Sequence, residues 1–479
     1  MSESSPAPAK SLVVPGVITV LGVALVARLW ILGDAFWLDE IWSLSRVDEV
    51  ESLLDIVTKE SFQHDNNHPL ITAWMSIIGD SDHWVLYRIP SLLSGMVAVL
   101  LVMDFAKGLR GVLFPGALIG LSFSMILYST EARGYAMAVC FVLGAYRILA
   151  RAEGHEFRLS VVGVIGYWSL CILAFLSHLI GVHFFAGMLA WTGIRLLRKV
   201  SIGEGALRML WVHGVPGAFF VGLYFLFVRK LTLGGASNVP AAVTVQDVLA
   251  WGSGMPNELL FAVLGGAVVV GLAAWEVFVR GREGSYEWIV LPSVALVAPL
   301  ASMQASKVEG MLNARFFLVG VVFLLLYAGR ALARLHSRAG GAATFATIVL
   351  SVFAIGNVVR EVRYVRGGGR GQYLEAVKFI AANSPQTVAI GSDNEFRNFG
   401  VLQYYKRFAR PGQVLGFLPN ASGHARGPDW YLAHSVIYPE WGDPSVPPTI
   451  QLRSGAYHLV RSFSHFGPSG FTWYLYRRR

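Results

Sequence analysis

Asp39 and Glu40 stand side by side in FWLDEIW (Phe36–Trp42), with Trp37 and Trp42 on their flanks. The stretch follows a largely apolar run from Ser11 to Leu32. Aromatic walls exclude water and raise the cost of an idle carboxylate. Adjacent acids so placed can take a proton from a hydroxyl or amine, or orient that group while a partner takes the proton. A second acidic position, Glu131, lies in YSTEARGYA (Tyr128–Ala136), two residues before Arg133. An exposed Glu–Arg pair would contribute little, whereas a carboxylate converging on the first would share its chemistry. Spacing leaves both readings open.

Cations follow the same pattern. Arg88 in YRIPS, Arg133, and Lys307 and Arg315 in ASKVEGMLNARFF all stand beside apolar runs. Such a set suits a phosphate at a bilayer surface, because a guanidinium grips phosphate with a bidentate fork. Each alone also reads as a snorkelling helix anchor. Imidazoles occur in HDNNHPL, which holds His64, Asp65 and His68, and at His178 in LSHLIG. His68 and His178 are candidate site-lining groups, with ordinary turn residues as the plain alternative. Asp39, Glu131, His68 and His178 offer oxygen and nitrogen ligands, so a divalent metal is admissible. No tight spacing demands one, and no cofactor is required.

The elements that must position these residues follow from composition. The chain is 54% hydrophobic and 14% charged over 479 residues, with a mean hydropathy of +0.54. Soluble domains carry roughly 25% charge, so this is a membrane composition. The net charge of +9 is expected in cytoplasmic loops and against anionic lipid rather than nucleic acid. Cys140 and Cys171 sit inside apolar runs and give no disulfide framework. The first apolar run is too long for a signal peptide, whose core is about 7–15 residues, and reads as an uncleaved span.

Apolar windows of spanning length recur near 11–32, 89–106, 112–129, 135–150, 160–177, 179–197, 210–228, 259–279, 287–303, 314–332 and 342–359. The expected fold is a polytopic α-helical membrane protein of about 11 transmembrane helices with a C-terminal α/β domain. Residues 1–360 form the transmembrane module, and its long first loop, 33–88, carries the active site. An amphipathic PLITAWMSIIGD in that loop could lie flat at the interface. With the N-terminus inside, the inner segments hold about twice as many lysines and arginines as the outer ones. That places the N-terminus in the cytoplasm and FWLDEIW outside. Arg360, Arg363, Arg366 and Arg370 run against this count, but long domains translocate regardless of flanking charge. Residues 371–479 read as a soluble extracytoplasmic α/β domain, with a helix at YLEAVKFIAA and strands at TVAIGS, SVIYP, AYHLV and WYLYR. EFRNFGVLQYYKRF there has aromatic and basic residues suited to sugar or lipid contact, or to ordinary packing.

These motifs, in order, resemble the polytopic GT-C glycosyltransferases that use polyprenyl-phosphate sugars, close to the protein O-mannosyltransferase and aminoarabinose lipid A transferase superfamily. The resemblance rests on LDE after the first span, HPL, RIPSLLSGMVAVLLVMDFAKGLRG and YSTEARGYAMAVCFVLGA, with a weaker echo in NARFFLVGVVFLLLYAGRAL. Where many relatives carry two prolines after the histidine, this chain has His68-Pro69-Leu70. The resemblance implies an inverting transfer from a polyprenyl-phosphate sugar to a lipid, polysaccharide or protein acceptor on the outer face of the cell membrane. It implies Asp39 as the base, Glu40 as its companion and Glu131 as the second acidic position, with Arg133 after it. Arg88, Lys307 and Arg315 are implied phosphate contacts. The alternative is a polytopic transporter or flippase, which would place several ionisable groups at mid-span. Arg28 is the clearest such residue here.

Overall fold

The computed structural model describes residues 13–64, 66–105, 108–232, 240–306, 313–338, 340–436 and 446–478. Lys307 and Asp65 lie outside them. The chain divides into two compact units. The first comprises residues up to Leu32, Val50–Ile78 and Val85–Val358; the second comprises Gly33–Glu49, Gly79–Trp84 and Val359–Arg479. The segments 33–49 and 79–84 of the long first loop are thus grouped with the C-terminal chain.

The helices are α1 (Val13–Leu32), α2 (Leu38–Leu44), α3 (Asp55–Thr58), α4 (Pro69–Ile78), α5 (Trp84–Asp104), α6 (Gly108–Leu121), α7 (Phe123–Ser129), α8 (Tyr135–Ala152), α9 (Val161–Ser177) and α10 (Gly181–Lys199). They continue with α11 (Ile202–Leu226), α12 (Ala241–Ser253), α13 (Leu259–Arg282), α14 (Val290–Pro292), α15 (Ala298–Ser306), α16 (Leu318–His336), α17 (Gly340–Arg366), α18 (Tyr373–Ala382) and α19 (Glu395–Tyr405). Every apolar window of the sequence therefore coincides with helix. Among the described residues seven helices are long and apolar enough to cross a membrane, or eight if the bent pair α6–α7 is one span. Pro69–Ile78, Val161–Ser177 and Glu287–Ser302 are shorter apolar helices. The window at 287–303 folds in pieces, with a π-helical stretch at Ser293–Val297.

In the first unit α8 and α16 lie inside, and α1 and α17 leave most of their apolar surface uncovered. Val26, Leu29 and Trp30 on α1 and Ile348 and Ile355 on α17 are exposed. Such rows of bare apolar side chains over spanning lengths face lipid. The chain is a multi-pass membrane protein. Its interior packs Val99 and Val102 of α5, Ile119 of α6, Val139 and Leu143 of α8, and Val322 and Leu326 of α16. Arg28, in α1, is wholly buried and donates to the carbonyls of Ala24 and Gly120 at 2.8 and 2.9 Å.

α17 holds the bend that leads into the loop carrying Glu131. α6 and α7 bend by 63° at Ser122. The Phe123 N–H opened by the break donates to Asn357 Oδ1 of α17 at 2.8 Å, so a buried amide replaces the lost helical bond. Next to it, a Cβ on Gly356 would come within 1.9 Å of the carbonyl oxygen of Gly254, the left-handed residue that ends α12.

The second unit contains α2, α18, α19 and a six-stranded sheet. Its strands are β1 (Thr387–Ser392), β2 (Val414–Phe417), β3 (Trp430–Ser435), β4 (Thr449–Leu452), β5 (Gly455–Phe463) and β6 (Thr472–Arg478), in the order β2-β1-β3-β6-β5-β4. β1 pairs parallel with β2 and β3, and the other pairs are antiparallel. TVAIGS is β1, and the expected helix YLEAVKFIAA is α18. AYHLV falls in β5 and WYLYR in β6. Of SVIYP, Ser435 closes β3 and residues 437–439 lie outside the described set.

Candidate active site

Within the first unit the break between α7 and α8 holds Thr130–Gly134 in the interior. Glu131 is 3% exposed, and Arg133 is equally buried. The Arg133 guanidinium donates to Asn66 Oδ1 at 3.3 Å and lies 5.5 Å from the centroid of the Tyr135 ring. Its backbone carbonyl accepts from Ser91 Oγ at 2.9 Å, which ties the break to α5. Gly134 permits the tightest contact. A Cβ there would stand 1.6 Å from the Ser177 carbonyl oxygen at the end of α9.

His178 follows Ser177 in the three-residue turn between α9 and α10, the nearly loopless turn the sequence requires. Its Nδ1 accepts from the Ile180 N–H at 3.1 Å, so the neutral ring carries its proton on Nε2. Its ring centroid is 4.0 Å from that of Tyr135 and 4.5 Å from that of His68. His68 is 2% exposed, and its Nε2 has no hydrogen-bond partner among the described residues. Burial first, and then the Arg133 charge, holds both imidazoles well below the ordinary histidine range. Arg315 adds to that effect on both rings. It follows Asn313, whose Oδ1 accepts the Arg315 N–H at 3.1 Å. Arg88, buried in α5, donates to the Leu32 carbonyl at 2.8 Å and so also closes the end of α1. Cations at a helix C-terminus are favoured there.

Within the second unit FWLDEIW forms α2 and the turn before it. Glu40 Oε2 accepts from the Trp37 N–H at 3.3 Å, an N-terminal capping bond, and Ser43 Oγ donates to the Asp39 carbonyl at 2.9 Å. Asp39 is 7% exposed and Glu40 is fully buried. Phe36 is gripped from α19: its ring lies 6.1 Å from Tyr404, and its carbonyl accepts from the Tyr405 hydroxyl. Arg370 places its guanidinium 4.3 Å from the Trp37 centroid. Burial lowers the Arg397 guanidinium while the Asp39 charge works against that, and burial raises the Tyr373 phenol with Asp39 adding to it. Trp42 packs 4.6 Å from Phe396.

The first unit thus brings together His68, His178, Arg133 and the charge of Arg315, and Arg133 shares its break with Glu131. The second brings Trp37, Asp39, Glu40 and Trp42 onto one short helix. Sequence reasoning missed Asn66, Ser91 and Tyr135, although the last belongs to the quoted YSTEARGYA. It met Arg370 only as a charge against the topology, and Arg397 only as part of a basic-aromatic stretch. Among the described residues no group of three or more His, Cys, Asp or Glu side chains gathers to hold a metal ion.

No family model matches the chain, and no curated protein matches it. Among solved structures it is similar to ArnT from Cupriavidus metallidurans bound to undecaprenyl phosphate, with 13% identity, a TM-score of 0.47 and 98% of each chain covered. The apo state of the same protein gives 14% identity and a TM-score of 0.47 over the same coverage. The archaeal oligosaccharyltransferase AglB from Archaeoglobus fulgidus, in complex with an inhibitory peptide and a dolichol-phosphate, matches at 12% identity and a TM-score of 0.48. That match covers 87% of this chain and 69% of the other.

Proposed function

We propose that the chain is an inverting glycosyltransferase that moves a sugar from a polyprenyl-phosphate donor to an acceptor on the outer face of the membrane. The observation that carries the reading is burial: Asp39, on the short helix α2, is 7% exposed, and Glu131, in the break between α7 and α8, is 3% exposed. Carboxylates that the fold takes out of water are functional-site candidates. In the proposed reaction the acceptor oxygen or nitrogen attacks the anomeric carbon, and its proton passes to the Asp39 carboxylate. The bond to the phosphate oxygen breaks, and the phosphate leaves with the electron pair. A phosphate needs little acid assistance, so the demand falls on the base and on cations that stabilise the departing charge. Arg88, Arg133 and Arg315 are the proposed phosphate contacts, with Lys307 of the same sequence set. Glu40 is the companion of the base, and Glu131 the second acid. The lysine and arginine asymmetry of the loops supports a cytoplasmic N-terminus and an extracytoplasmic C-terminal domain.

The test is transfer by purified, detergent-solubilised protein offered a panel of polyprenyl-phosphate sugars, with donor hydrolysis as the readout where no acceptor is at hand. Turnover of one donor by the native protein, lost in Asp39→Asn, is the expected result. The absence of both binding and turnover across the panel sinks the proposal in favour of a transporter.

A further inference from the structure

α2 and α19, both in the second unit, frame a groove of about 510 Å3. One wall is aromatic: Trp42 and Phe396, whose centroids are 4.6 Å apart, continue into Phe399 and Tyr404. Phe396 is 61% and Phe399 47% exposed. Trp42 packs directly on the α19 backbone, because a Cβ on Gly400 would come within 3.0 Å of its Nε1. The rest of the lining sets aliphatic Ile41, Leu44 and Val47 beside polar Asp48, Asp80, Gln403 and Arg407. Arg407 donates to Asp80 at 2.6 Å and stands 3.7 Å from Asp82. Asp80, Gln403 and Arg407 also line an adjoining polar cleft of about 610 Å3. Both volumes lie in the roughly 300–1,000 Å3 range of small-molecule sites.

This combination selects a ligand chemistry. A contiguous patch of exposed rings marks a binding face. An acyl chain would cover the rings but would press hydrocarbon against the Asp48 and Asp80 carboxylates. A polyanion would meet those carboxylates with Arg407 as the sole guanidinium among the described lining residues. A pyranose matches both surfaces, since it has an apolar C–H face for the aromatic rings and vicinal hydroxyls for planar acceptors and donors.

We propose that this groove binds an uncharged pyranose oligosaccharide, stacked on Trp42 and Phe396 and hydrogen-bonded to Asp80, Gln403 and Arg407, as the glycan part of the acceptor. Only the word acceptor rests on the glycosyltransferase reading; the ligand class rests on the groove.

The experiment is saturation-transfer NMR on the full-length protein in detergent. The probes are neutral tri- to hexasaccharides of gluco, manno and galacto configuration, with a short-chain phosphatidylcholine as the competing ligand. The expected result is binding of at least one oligosaccharide, weakened about tenfold by Phe396→Ala and again by Arg407→Ala. Val460→Ser, at an exposed position on β5, leaves it unchanged. Absence of saccharide binding, binding indifferent to both variants, or phosphatidylcholine binding lost in Phe396→Ala without any saccharide signal overturns the proposal. Binding is read without turnover, so the two readings fail separately. Saccharide binding with no donor turnover keeps the groove and removes the transferase, whereas turnover with no saccharide binding does the reverse.

Discussion

The imidazoles of His68 and His178 stack with their centroids 4.5 Å apart, although one precedes α4 and the other joins α9 to α10. Two stacked rings beside the Arg133 guanidinium cannot both take up protons cheaply, and burial alone already disfavours the first one. The pair is therefore neutral at physiological pH, presenting hydrogen-bonding nitrogens instead of charge.

Stability should register this on acidification. Both folded-state values lie below the ordinary 6.5, so below that pH the unfolded chain binds protons that the folded one refuses. Above about pH 6.5 the rings bring no pH dependence; below it each costs up to about 1.4 kcal/mol per pH unit, until the folded value is reached. The melting temperature is expected to fall between pH 7 and pH 5, and to fall less steeply in His68→Gln and His178→Gln. An unchanged slope in the double variant would exclude these rings as the cause.

Asp39 and Glu40 should separate in their effects despite adjacency. Asp39→Asn is expected to reduce transfer by roughly 10²–10⁴-fold with little change in melting temperature. Glu40 Oε2 caps the Trp37 N–H. Glu40→Ala should thus cost about 1 kcal/mol, while Glu40→Gln, which keeps an acceptor, should cost less. Steady-state rates beside thermal melts check both statements.

Arg133→Lys should expose the need for a fork. Lysine keeps the charge but cannot span Asn66 and a phosphate as a planar guanidinium can. The expected outcome is a rise in KM for the donor of about tenfold or more, with a smaller change in kcat. A variant that lowers kcat alone would place Arg133 away from the donor's ground state.

Gly134→Ala tests the seat of the same loop. The added Cβ would stand 1.6 Å from the Ser177 carbonyl oxygen, a backbone atom with no freedom to move aside. Loss of more than about 3 kcal/mol, seen as failure to purify folded protein or a collapsed melting temperature, is expected. Gly222→Ala in α11, with nothing within 4 Å of its Cβ, should be neutral or stabilising by up to about 1 kcal/mol.

Hydropathy revealed the helices well because a span must be apolar over its whole length. The His178 turn was equally legible, since two apolar windows met there with no room for a loop. The α6–α7 bend was not. The group that satisfies it is Asn357, an amide in a distant window, and periodicity reports which face a residue occupies, never its partner. The stacking of His68 on His178 was hidden for the same reason. α19 escaped because EFRNFGVLQYY has no clean apolar stripe: Phe396 and Phe399 are exposed, while Val401, Leu402, Tyr404 and Tyr405 are buried. Arg370 was visible only as a charge; its place over Trp37 joins residues far apart in the sequence.

Asn357 and Gly356 have one further effect. A sliding of α17 by a single turn would strip the amide from the Phe123 N–H and drive a bulkier residue into the Gly254 carbonyl. The helix has one register, like a key cut for one lock. A change in bilayer thickness is therefore met without a change of register, by tilting or by local deformation of the bilayer.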